Sequence, residues 1–174
     1  MNPELKCDPD FANAPSIPIV EGKERLNPRI IVYIDPNTNF DNPFDPSRCA
    51  LEVAIDLAHG SEVFMMSVLK VPRNLPVDAE MPEETERLDH LLEDAEKIAN
   101  SKEIKTRGII LKTRLTGVTH AIVDEASGLN ADVIVVGIER VKEVIDDRST
   151  ISLDSLRRRA TSRIIIVQPA LAQK

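Results

Sequence analysis

Cysteine is scarce: the chain of 174 residues has two, Cys7 and Cys49. They stand far apart, with no C-x-x-C pair and no Cys/His spacing, so neither a disulfide framework nor a structural metal site is suggested. A reducing cytoplasm is the expected location. Long apolar runs are missing as well. No stretch approaches the ~20 apolar residues of a membrane-spanning helix, and residues 1–28 lack the apolar core of a signal peptide, so no direct membrane insertion is expected. Positive charge is in deficit, with 22 Lys and Arg against 29 Asp and Glu and a net charge of −7. Nucleic acid is therefore not an expected partner, since it needs clustered cations. Catalytic constellations are absent too. His59, His90 and His120 fall on separate predicted helices or helix ends without metal-like pairing, and no G-x-S-x-G surrounds Ser47, Ser67 or Ser149. Lys112-Thr113 stands where a phosphoacceptor domain would place its aspartate. No catalytic and no metal-binding residue is predicted.

What is present is one domain's worth of chain with an attached arm. Residues 1–28 carry prolines at 3, 9, 15, 18 and 28 and no sustained period, the profile of an arm or linker that is extended or loosely docked. From residue 29 to 174 the period alternates between strand and helix. RIIVYI (29–34) is a continuous apolar run, as expected of a strand covered on both faces. A loop dense in Asn, Asp and Pro follows, and Ser47 offers a cap to a helix with Leu51, Ala54, Ile55 and Ala58 on its apolar face, stopped by Gly60. Strand two is predicted over 62–71 and a long helix over 83–100, with a stripe of Leu88, Leu91, Leu92, Ala95, Ile98 and Ala99. RGIILKT (107–113) reads as strand three. Gly117 and Thr119 open a helix carrying Ala121, Ile122 and Ala126, closed by Gly128. DVIVVG is strand four, a helix with Leu153, Leu156 and Ala160 on one side follows, and RIIIVQP is strand five. The order βαβαβαβαβ predicts an α/β fold, a doubly wound five-stranded parallel sheet with helices on both faces. Such sheets bind ligands beyond the carboxyl ends of their strands, which points to the loops after Ile34, Val68 and Val136.

Two stretches carry a resemblance. SEVFMMSVLKVP resembles the second strand of the universal stress protein family, and TRLTGVTHAIVDEASGLNADVIVVG resembles its third helix and fourth strand. The likeness runs over about residues 29–169. It implies the same sheet, an adenine nucleotide (ATP or AMP) as the ligand, and a homodimer formed through the last strand, here Arg163 to Gln168. Nucleotide-binding members carry G-x-x-G-x9-G-[ST] after strand four, where glycines let the backbone wrap phosphates. Aligned without a gap, this chain keeps Gly137 but has Arg140 and Thr150 at the other two glycines and Ile151 at the hydroxyl. After strand one, Asp35 remains, and Pro36-Asn37 replaces the usual Gly-Ser.

The resemblance thus implies a site at Asp35, Asn37, Val68, Val136, Gly137, Arg140, Ser149 and Thr150. The adenine would lie near Asp35 and Val68, Asp35 would accept from ribose hydroxyls, and Gly137 would allow close backbone approach. Two outcomes stand open. Either Arg140, Lys142 and Arg148, with Ser149 and Thr150, hold phosphates through cationic side chains, or side chains at 140 and 150 fill the groove. The function expected is sensing or regulation, with at most weak ATP hydrolysis. The alternative is a cytosolic regulatory domain of a membrane transporter, with residues 1–28 as the connection to that or another protein partner. Phe40 and Phe44 raise the further question of whether residues 36–46 act as a lid. The basic stretch LRRRATSR (156–163) reads either as a solvated helix end favoured by the helix dipole or, through Arg159 or Arg163, as a contact to an acidic partner or phosphate.

Overall fold

Four consecutive buried residues, Ile30–Tyr33, form β1. The chain then alternates through α1 (Pro46–Ala58), β2 (Val63–Lys70), α2 (Pro82–Asn100), β3 (Thr106–Thr113), α3 (Val118–Gly128), β4 (Val133–Gly137), α4 (Leu153–Arg159) and β5 (Arg163–Val167). A 3₁₀ turn, Leu115–Gly117, precedes α3. These elements come from a computed structural model, which describes residues 27–139 and 151–169. All pairings are parallel, in the order β3-β2-β1-β4-β5. This is the doubly wound five-stranded sheet that the element order predicts. Right-handed crossovers explain it: α1 and α2 step the chain outward from β1 on one face, and α3 carries it back past β1 on the other.

Side-chain alternation divides the core in two. Ile30, Val32, Ile34, Val63, Met65 and Val135 point towards α1 and α2, where they meet Leu51, Ala54, Leu92 and Ala95. Ile31, Tyr33, Phe64, Met66, Ile134 and Val136 point the opposite way, towards Val118, Ile122 and Ala126 of α3 and Leu156 of α4. Both faces of β1, β2 and β4 are therefore covered, and their sequences are predominantly apolar for that reason. A hydroxyl enters this interior once in β2: Ser67, fully buried, donates to the Ile34 carbonyl at 2.8 Å.

The predicted helix faces hold, with local differences. Leu88, Leu92, Ala95 and Ala99 of α2 are buried, while Leu91 and Ile98 are only partly covered. In α4 only Leu156 is buried, and Ala160 lies just past the helix in extended conformation. The α1 cap is Asp45, not Ser47. Asp45 adopts extended geometry and its carboxylate accepts from the N–H groups of Ser47 and Arg48, because Pro46 at the first helical position fixes the start two residues earlier. At the other end, His59 and Gly60 both take positive φ, 45° and 89°, and Gly60 reaches this left-handed region without strain. The α4 arginines lie in the last turn, where Arg158 pairs with Asp154 at 2.9 Å. Among the described residues, no helix is long and apolar enough to cross a membrane.

Candidate functional site

The chain leaves β1 towards the α1 face and leaves β4 towards the α4 face, so the two loops part at the carboxyl ends of adjacent strands. That divergence is the topological switch point, where open α/β sheets bind ligands. Tyr33 and Val136 are paired in the register, which brings Gly137 level with Ile34 and next to Asp35.

Asp35 is held firmly. Its N–H donates to Ser47 Oγ at 3.0 Å, its Oδ1 accepts from Asn37 N–H at 2.8 Å, and its carbonyl accepts from Thr38 N–H at 3.0 Å. Oδ2 has no partner among the described residues. Ser47, expected as a helix cap, instead ties the end of β1 to the first turn of α1. Val68 and Val136 are 1% and 0% exposed, both in the core on the α3 side, so a ligand would meet only their backbone. Met66 turns its carbonyl towards β1, accepting from Ile34 N–H at 2.8 Å. Peptide groups alternate along a strand, so the peptide groups of Val68 face the same side, beyond the last residue of β1. Asp35, Asn37, Val68, Val136 and Gly137 are thus gathered at one end of the sheet. Arg140, Ser149 and Thr150 lie outside the described residues, as do Lys142 and Arg148.

Gly137 does something that the motif comparison does not suggest. A Cβ there would lie 1.9 Å from the Pro46 carbonyl oxygen and 2.9 Å from Ser47 N. The close approach it permits is to the backbone of α1's first turn. The donors of that turn are likewise committed, since Asp45 Oδ1 accepts from Ser47 N–H at 2.9 Å and from Arg48 N–H at 3.4 Å. The N-terminus of α1 already holds an anion, and it is the chain's own.

The loop between Asp35 and Asp45 is built from repeated side-chain turns. Asn39 Oδ1 accepts from Asp41 N–H and Asn42 Oδ1 from Phe44 N–H, each at 3.0 Å, repeating the bond made by Asp35. Asp45 Oδ2 closes the series by accepting from Asn39 N–H at 2.9 Å. Arg48 donates to the Phe40 carbonyl at 2.6 Å, and the Phe40 ring packs against the core on the α1 side. Phe44 is half exposed. Cys49 Sγ donates to the Pro43 carbonyl at 3.4 Å, and burial, then Glu52 and Asp45, push its thiol up, which disfavours the reactive thiolate. His90 is an exposed partner of Glu86 and Glu93, and no group of residues suited to a metal ion occurs among the described residues.

Sequence reasoning missed Asp45 and Ser67. Asp45 was legible, because Asp-Pro is the signature of a cap followed by proline at the first helical position. Ser67 carries no such signal, since a lone serine in an apolar strand does not disclose its partner.

The sheet order and the helices divided between its two faces define a doubly wound α/β sandwich. The chain belongs to the universal stress protein family, whose model matches residues 28–167. Its fold is similar to that of a universal stress protein from Archaeoglobus fulgidus, with a TM-score of 0.59 at 17% identity over 81% of this chain and 98% of that one. A structure of the Archaeoglobus fulgidus protein in complex with dAMP superposes with a TM-score of 0.58 at 17% identity, covering 82% and 98% of the two chains. A universal stress protein family protein from Arabidopsis thaliana with AMP bound gives 0.54 at 15% identity, covering 83% and 93%. No curated protein matches the chain.

Gly137→Ala is expected to lower the unfolding free energy by ~3 kcal/mol, since backbone on both sides must move. Urea unfolding measures it, and a loss below ~0.5 kcal/mol, the range of a neutral surface change, would refute the packing role. Asp45→Ala is expected to cost ~1–2 kcal/mol, with Asp45→Asn keeping most of the stability because the accepting oxygen remains. Equal losses in the two variants would show that the cap bonds are not what Asp45 contributes.

Proposed function

We propose that this chain is a cytoplasmic regulatory domain that binds an adenine nucleotide where β1 and β4 part. The base and ribose lie towards Asp35 and the backbone of Val68, and side-chain cations rather than a glycine cradle hold the phosphates. The observation that carries the reading is Asp35: a carboxylate fixed by its neighbours at the switch point, with Oδ2 unengaged by any described residue and suited to accept from a ribose hydroxyl. The relatives with dAMP and AMP make adenine nucleotides the first ligands to test. A structure of another universal stress protein, in complex with cAMP, adds a third.

Phosphate cannot take the N-terminus of α1 in this reading, because Asp45 occupies it. The cations available in sequence are Arg140, Lys142 and Arg148, with the hydroxyls of Ser149 and Thr150 beside them. The domain acts as a switch and not as an enzyme. Its output surface is β5, an edge strand whose residues Ile164 to Val167 are only half-buried although apolar. Apolar side chains beside the unpaired edge of a sheet favour pairing with another strand, and a second copy supplies one.

Calorimetric titration with adenosine, AMP and ATP tests the ligand. Binding on the micromolar scale is expected, weakened about tenfold for all three by Asp35→Ala, a change of about 1.4 kcal/mol. Arg140→Ala should weaken AMP and ATP while leaving adenosine unchanged. No heat with any of the three from folded protein would sink the proposal. For the dimer, sedimentation should show a species of twice the chain mass that Ile165→Lys converts to monomer with its helical circular dichroism retained. A wild-type monomer at high concentration would rule out the β5 surface.

A further inference from the structure

Strands β2 and β3 run further than β1, pairing up to Lys70 and Thr113, and Val71 N–H then donates to the Thr113 carbonyl at 2.9 Å. Beyond this point the chains separate, one into the loop from Val71 to Met81 and the other into the 3₁₀ turn at Leu115. Between them lies a cleft of about 700 Å³ lined by Lys70, Val71, Pro72, Arg73, Arg114 and Leu115. Its size falls within the range of small-molecule sites, roughly 300–1,000 Å³. The centre of the β2/β3 pair is two strand spacings, about 10 Å, from that of the β1/β4 pair, so this is a different place from the switch point.

The walls are fixed from within. Arg114 donates to the Pro72 carbonyl, Lys112 Nζ to the Ala79 carbonyl at 3.3 Å, and two turns, Leu75 N–H to Pro72 O and Ala79 N–H to Pro76 O, each at 3.1 Å, shape the loop. Two independent features then describe an occupant. The first is charge: in a chain of net charge −7, this cleft has three cations and no acid among its lining residues. Asp78 and Glu80 belong to the same loop but do not line the cleft, and among the described residues neither Arg73 nor Arg114 has a carboxylate within ion-pair distance. The second is apolar exposure. Leu115, which lines the cleft, is 55% exposed although apolar, and Pro72 on the facing segment is exposed as well.

We infer that this cleft is a second binding site, for a small amphiphilic anion: an acidic head group on Arg73 and Arg114 and an apolar body against Pro72 and Leu115. Arg73 makes no hydrogen bond or ion pair with the described residues, so its guanidinium is free to close on the head group. Arg114 holds the loop through one nitrogen, and its planar fork carries further donors. The apolar walls add affinity that a bare anion would not gain.

The test is a fluorescence titration of the whole chain with 1-anilinonaphthalene-8-sulfonate, an apolar anion, followed by displacement with octanoate, octyl phosphate, octanol, inorganic phosphate and AMP. Octanoate or octyl phosphate should displace the dye, the better of the two identifying the head group, while octanol, inorganic phosphate and AMP should fail. Arg73→Glu should weaken dye binding at least tenfold, and Arg157→Glu, an exposed cation on α4, should leave it unchanged. Leu115→Ser should weaken octanoate without creating phosphate binding. Equal dye affinity in Arg73→Glu would overturn the inference, as would displacement by octanol or by inorganic phosphate as effective as by octanoate. Displacement by AMP would merge this cleft with the nucleotide site and overturn it as a second site. Failure here leaves the calorimetric result for AMP standing, so the two readings are separable.

Discussion

The end of β4 lies against the first turn of α1 with no room for a side chain between them, and much of the functional end of the molecule follows from that contact. It joins the first βα unit of the outward half of the sheet to the strand that begins the inward half. With α1 pressed onto Gly137, Ser47 reaches the N–H of Asp35, and the end of β1 is tied to the helix that follows it. The open N–H groups of a helix start need an anion or a polar cap. Here Asp45 supplies both, and its second oxygen pulls the preceding loop into shape through Asn39.

This arrangement sets what the switch point of this chain offers. A glycine at the end of strand four reads, by motif, as an opening for phosphate. In this chain the open side of that glycine is spent on packing, and the nearest helix N-terminus is neutralised from within. The proposed nucleotide site rests instead on groups that face the crevice from other directions, above all the fixed carboxylate of Asp35. The loop ahead of α1 is not a loose flap in this state. Repeated side-chain turns and the anchoring of Phe40 in the core give it the character of a rigid wall.

Much of the fold was legible because the physics is local. The predominantly apolar runs of β1, β2 and β4 report burial on both faces. The spacing of Leu88, Leu92, Ala95 and Ala99 reports one buried helical stripe, and Gly60 reports a left-handed helix end. Where the reading slipped, a local rule was outweighed by a neighbouring one: Ser47 is a good capping residue, but Asp45 followed by Pro46 is a better start. Leu91 and Ile98 fit the α2 stripe by spacing, yet they fall at its margin, where the sheet no longer covers them.

The residues that converge on the sites are distant in sequence, and nothing local records their meeting. Asp35 and Gly137 are neighbours only because β4 returns to the side of β1. Lys70 and Arg114 flank one cleft only because β2 and β3 pair to their last residues. By itself the sequence determined the order of strands and helices, the faces they bury and the family they belong to, since hydrophobic period and turn chemistry act over a few residues. Tertiary structure alone decided that Gly137 packs on α1, that Asp45 fills the helix start and that scattered cations share a cleft. Those outcomes depend on long-range strand pairing, which brings together groups whose chemistry carries no mark of its eventual neighbour.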